Sequence, residues 1–126
     1  MYRKALAMGD SATADKIINA ATPTEAQKLG RQVQNYDSEK WKNIVDEVAE
    51  TCNWLKFSQV DECKQALLDT GDKFLAESNP ADRNWGIGFR GDEAAANEDK
   101  WGRNLLGKAQ MKVRDRLNAD GASGRL

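Results

Sequence analysis

The chain has no histidine at all. That removes the Ser-His-Asp triad, the Cys-His pair and every histidine metal site. Acid–base chemistry is left to carboxylates, Lys, Tyr or Cys, and an enzyme built on this chain is most naturally a carboxylate enzyme. Cysteine is scarce too. Cys52 and Cys63 are too few for a disulfide framework. Both fall at apolar positions of expected helices, where free thiols are commonly buried, and a reducing intracellular compartment, the cytosol by expectation, fits best. No apolar run approaches the length of about 18 residues that a membrane span needs. The N-terminus Met1-Tyr2-Arg3-Lys4 leads into an amphipathic segment rather than a secretory signal. Charge of one sign is lacking as well: 19 basic residues against 20 acidic ones give a net charge of −1. That argues against gripping nucleic acid by bulk electrostatics but leaves room for a local anion site.

What is present reads as helix. At 126 residues the chain forms one domain large enough to bury a core without staples. Tyr2 to Met8 reads as a helix stopped by Gly9. Asp10 or Ser11 caps a second helix through Asn19, with Ala14, Ile17 and Ile18 inward. Thr22-Pro23-Thr24-Glu25 combines an N-cap, a first-turn proline and a capping box, and opens a helix to about Gly30. Asp37 or Ser38 starts the longest helix, with Trp41, Ile44, Val45, Val48, Cys52 and Leu55 along one side; such a stripe reads as core. Ser58-Gln59-Val60-Asp61 begins another helix through Leu68. Lys73 to Glu77 alternates well enough to be a strand, and Asn79-Pro80-Ala81-Asp82 is turn chemistry. A final helix is expected from about Asn104 to Leu117, with a polar, frayed tail over 120–126.

The irregular stretch from Trp85 to Gly107 stands out. It holds Trp85 and Trp101 and five of the ten glycines: Gly86, Gly88, Gly91, Gly102 and Gly107. Long loops without secondary structure are uncommon and usually functional or disordered, and disordered segments avoid aromatics. Tryptophan beside glycine suggests an aromatic wall with backbone that a ligand can approach closely. The alternative is that both indoles plug a core while the glycines make turns. Glu77 and Asp82 sit just ahead of Trp85-Gly86. Beside an aromatic wall they can form an acid–base or cation-stabilising pair, one stabilising an oxocarbenium-like sugar C1 and the other orienting or deprotonating water. The plainer alternative is that Glu77 pairs with a lysine and Asp82 caps the turn. Arg31 and Lys56, each at a helix end where the dipole favours a cation, could hold a phosphate. Asn104 with Gly107 opens the last helix, where free N–H groups suit an anion unless Asn104 simply caps the helix.

In order, Lys4-Ala5, Pro23 with Lys28-Leu29-Gly30-Arg31, Trp41, Lys56-Phe57, Leu67-Leu68-Asp69-Thr70-Gly71, Leu75-Ala76-Glu77, Asp82 with Trp85-Gly86-Ile87-Gly88, and Trp101-Gly102-Arg103-Asn104-Leu105-Leu106-Gly107 with Met111 and Arg114 resemble the NADAR, or YbiA-like, family. The resemblance implies a compact, mainly α, orthogonal helical fold with one or a few short strands. It covers a domain over 1–119 followed by a flexible tail over 120–126. The family is associated with NAD and ADP-ribose metabolism. Its characterised members resemble N-glycosidases, some acting on ribosylamine intermediates of the riboflavin pathway and others on ADP-ribosylated guanine in DNA. The resemblance implies that Trp41, Asp82 and Trp85 line the site with Glu77 near them, and that Arg31, Lys56 and Asn104 hold ribose or phosphate. Gly86, Trp101 and Gly107 belong to the same substrate-binding set. The family's Ser/Thr-x-Glu motif, whose glutamate is thought catalytic, would fall just ahead of Met1, so an N-terminally truncated domain is expected. The expected partner is a small ribose-phosphate or ADP-ribose-like molecule, or an ADP-ribosylated nucleic acid; no cofactor, metal or membrane is implied. A non-catalytic binder of ADP-ribose or NAD derivatives is the alternative, and a purely structural helical domain a third.

Overall fold

A computed structural model describes the backbone of residues 1–124. It is mainly helical, and no strand occurs among the described residues. The chain divides into two compact units, Met1–Val48 and Ala49–Leu126.

The first unit holds α1 (Tyr2–Ala7), α2 (Ser11–Ile18), α3 (Pro23–Gly30) and the start of α4 (Ser38–Gln59). Its caps follow from the sequence. Asp10 accepts the Thr13 N–H at the head of α2 (3.1 Å) and, through its other oxygen, the Gln34 N–H (3.0 Å). Those bonds, the Gln34 one first, hold its carboxyl below the usual range. Thr22 accepts the Glu25 N–H at 3.2 Å, as expected of the N-cap, while Glu25 reaches back one residue further than a capping box does and accepts the Ala21 N–H at 3.0 Å. Ala5, Ala14 and Ile17 form the core, flanked by Ala26, Leu29 and Val33. Ile18, expected inward, is 63% exposed, because Ala14 and Ile17 already fill the short helix's one buried side.

The second unit takes over α4 at Ala49 and adds α5 (Asp61–Leu68), α6 (Gly91–Ala94) with a 3-10 turn over Ala95–Lys100, and α7 (Leu105–Gly124). Phe57, Leu67, Val113 and Leu117 form its core, with Trp54, Cys63, Leu68 and Leu75 packed against it. Several expectations are corrected here. Ser58 does not open a helix: its hydroxyl donates to the Trp54 carbonyl, and α4 runs on to Gln59 before Val60 breaks it. The buried row of α4 departs from the expected stripe after Val48 and follows Ala49, Asn53 and Phe57. Cys52 and Leu55 are therefore exposed, and Cys63 is only half-buried. The reason is local. Asn53 can be buried because its amide donates to the Ala49 carbonyl at 2.8 Å, which frees that row to pack. The last helix also runs past its expected end at Leu117 to Gly124, and Arg125 and Leu126 of the expected tail lie outside the described residues.

Candidate active site in the loop before the last helix

The stretch expected to be one long loop contains structure of its own. Arg90 grips Asp92 through two nitrogens (3.2 and 2.7 Å) at the head of α6. That contact, followed by the bare electrostatic pull of Glu93, holds the guanidinium above its ordinary value. Trp101 closes the far end, its indole N–H donating to the Ala94 carbonyl at 2.9 Å. Its ring stands 6.0 Å from that of Phe74.

Around this turn the loop folds onto itself and onto α7. The Ile87 N–H donates to the Glu77 carbonyl (2.9 Å), and the Gly102 N–H to the Ile87 carbonyl (2.8 Å). The N–H groups of Arg103, Asn104, Leu105 and Leu106 donate in turn to the carbonyls of Arg83, Gly86, Asn84 and Trp85. The head of α7 is thus capped by loop carbonyls. The Leu105 and Leu106 N–H groups are therefore occupied, and the Asn104 side chain, just ahead of α7, bonds the backbone of Leu75 and Glu77.

The glycines serve the same closure. A Cβ at Gly86 would meet the Asp82 and Glu77 carbonyl oxygens at 2.9 Å, one at Gly102 would run into the Arg83 backbone, and one at Gly107 would overlap the Leu75 carbonyl. These positions let backbone meet backbone. Gly86 and Gly107 are buried, so what approaches them is the protein itself.

The predicted site residues of this unit fall as follows. The main-chain carbonyls of Glu77 and Asp82 both lie against Gly86, and Trp85 adjoins it in the chain. Asp82 uses Oδ1 to accept the N–H groups of Asn84 (2.8 Å) and Trp85 (2.9 Å), the turn cap foreseen as its plainer role. Among the described residues no donor reaches its other oxygen or the Glu77 carboxylate, so the expected lysine partner of Glu77 is not found. Both residues and Trp85 are half-buried. Asn104 is 2% exposed and binds the extended backbone ahead of it: Oδ1 accepts the Glu77 N–H at 3.0 Å and Nδ2 donates to the Leu75 carbonyl at 2.8 Å. Its amide is committed to the protein. Lys56 is exposed in the last turn of α4, its ammonium 5.3 Å from the Phe57 ring centre.

The first unit carries the other two. Arg31 is exposed at the end of α3, where Lys4 already donates to the Gly30 carbonyl at 2.9 Å. Trp41 is half-buried in the first turn of α4. Burial lowers the readiness of Lys4 to stay protonated.

Arg114 carried no expected role, although it is 6% exposed and donates from Nη1 to the Thr70 hydroxyl and the Lys73 carbonyl, both at 2.8 Å. Its signal in the sequence was a charge on the inward row of α7, one residue after Val113.

The sequence profile of the NADAR domain matches residues 1–118. The chain belongs to the NADAR family. It is 38% identical over 117 residues to an N-glycosidase of Acanthamoeba polyphaga mimivirus, an alignment covering 91% of this chain and 69% of the relative. It is 33% identical over 108 residues to an N-glycosidase of Nostoc punctiforme (86% and 64%), and 32% identical over 116 residues to a riboflavin biosynthesis protein of Vibrio vulnificus (92% and 29%). The NADAR chain thus spans from under a third to about two thirds of the length of these relatives. N-glycoside hydrolysis is therefore represented in the family by name. Among the described residues no helix is long and apolar enough to cross a membrane.

Proposed function

We propose that this NADAR chain hydrolyses the C–N glycosidic bond of a ribosylamine phosphate or of an ADP-ribosylated base, and that the work is done by Glu77 and Asp82 beside Trp85. The observation that carries this reading is that Glu77 and Asp82 both bring their main-chain carbonyls against one buried glycine, Gly86, while each keeps side-chain oxygen that no donor among the described residues engages. The names of the relatives support the reaction class, and the Vibrio protein's name supports the ribosylamine substrate.

Trp85 offers a flat face on which the leaving base stacks. As the C1–N bond lengthens, its electron pair moves to the base and positive charge gathers at C1, where a carboxylate stabilises it. Water bonds to C1 from the other side, and its proton passes to the second carboxylate and on to the departing nitrogen. No metal or organic cofactor enters this chemistry. Asp82 suits the fixed role, since two N–H groups clamp one of its oxygens and leave the other to face the sugar. Glu77, held only by its backbone, suits the role of proton acceptor.

Asp82→Asn tests this. The expected result is a fall in kcat of roughly 100-fold or more with substrate affinity little changed. Unchanged turnover removes Asp82 from the mechanism. One observation favours a second reading, a non-catalytic binder of ADP-ribose-like ligands: Asp82 already has a complete structural task as a turn cap. Calorimetry with ADP-ribose beside a base-release assay separates the two, because binding without release supports the binder.

A further inference from the structure

The extended segment Lys73–Glu77 has its backbone bound by side chains of α7 and of Asn104 just ahead of it. The Lys73 carbonyl accepts from Arg114 (2.8 Å), the Leu75 N–H points at the Met111 sulfur (3.5 Å), the Leu75 carbonyl accepts from Asn104 (2.8 Å), and the Glu77 N–H donates to Asn104 (3.0 Å). The Glu77 carbonyl is then taken by the Ile87 N–H. Positions 107, 111 and 114 are spaced four and three apart, which puts them on one side of α7, and Asn104 stands immediately ahead of its first residue. Gly107, the bare position in that row, lets the Leu75 carbonyl lie against the helix.

Two features show that this row is built at a cost. Asn104 sits at φ 52°, in the left-handed region that asparagine tolerates better than other residues with a Cβ, and the side chain is thereby turned back onto the segment. Arg114 is buried with a hydroxyl and a carbonyl as its partners and, among the described residues, no carboxylate, although buried charge is ordinarily paired.

We infer that Asn104 and Arg114 are positioning residues that act through Glu77: they hold residues 73–77 straight along α7 and so fix where the Glu77 carboxylate stands. The inference deepens the glycosidase reading and rests on it for its kinetic consequence. Its positional content does not depend on activity.

Asn104→Asp keeps an oxygen for the Glu77 N–H and replaces the donor to the Leu75 carbonyl with a second acceptor. In this chain it is expected to lower kcat roughly 10- to 100-fold while moving KM less than about threefold. In a Glu77→Gln background the same change is expected to alter kcat by less than about threefold, since coupled residues are not additive. Equal losses in both backgrounds overturn the inference. Arg114→Lys gives a second cycle with the same expectation should Asn104→Asp not fold. Hydrogen exchange at the Glu77 amide reads the positional part alone: it is expected to rise about tenfold or more in Asn104→Ala, which removes the acceptor, and unchanged exchange overturns the inference whatever the activity. A parent protein that releases no base overturns the glycosidase reading and the kinetic part with it, while accelerated exchange in the variant still upholds the positional part.

Discussion

At Gly102 there is no room for a single methyl group: the added carbon would land on the Arg83 backbone. Gly102→Ala is therefore expected to lower stability by about 1–3 kcal/mol, read as a drop in the urea midpoint. Gly121, exposed in α7 with open space around its Cα, provides the contrast. Gly121→Ala is expected to raise stability by up to about 1 kcal/mol, because alanine favours the helix where glycine does not. The same residue type thus carries opposite expectations, set by what surrounds it. From the sequence, glycine beside tryptophan suggested backbone open to a ligand. The coordinates show backbone open to other backbone, at Gly86, Gly102 and Gly107 alike. Nothing in the local sequence distinguishes the two, since both need only a missing Cβ. The acids were easier to read. Asp82, two residues after a proline, announced a turn cap, and it caps the turn at Asn84 and Trp85.

Helices with polar caps were legible because a cap is a local device. Thr22 with Glu25, and Asp10 ahead of Thr13, meet N–H groups within four residues, and both caps form. Asp10 also supplies a pH test. Its carboxyl is lowered in the folded chain, so its stabilisation is complete above the unfolded value of about 3.9 and is lost as pH falls through the lower folded value. Asp10→Ala is expected to reduce the Tm at pH 7, and the gap to the parent is expected to close in acid; a gap that persists below the folded value contradicts the role. Less legible was whatever depended on a distant partner. Residues 73–77 alternate as a strand does and are extended, yet their hydrogen bonds come from the side chains of Asn104, Met111 and Arg114, 27 to 41 positions on, a pairing that periodicity cannot reveal. The stripe of α4 failed for a related reason: a buried Asn53, satisfied by its own helix, holds the place that apolarity assigned to Cys52.

Taken whole, the molecule is mainly helical and its second unit gathers Glu77, Asp82, Trp85, Gly86, Trp101, Asn104 and Gly107 around the head of α7. The family was legible from ordered short motifs, and the match over residues 1–118 bears it out. The division of labour within the loop was not, because residues that share a motif turn out to have different tasks. Asn104 and Gly107 hold backbone, Trp101 closes the turn after α6, and Glu77 and Asp82 keep carboxylate oxygens that no donor among the described residues engages. The decisive assay follows base release from a ribosylamine phosphate and from an ADP-ribosylated base by the parent chain, Glu77→Gln and Asp82→Asn, with binding measured in parallel. Release by the parent that falls roughly 100-fold in each variant at nearly constant affinity is the expected result. Equal release by all three would contradict the assignment of chemistry to this loop.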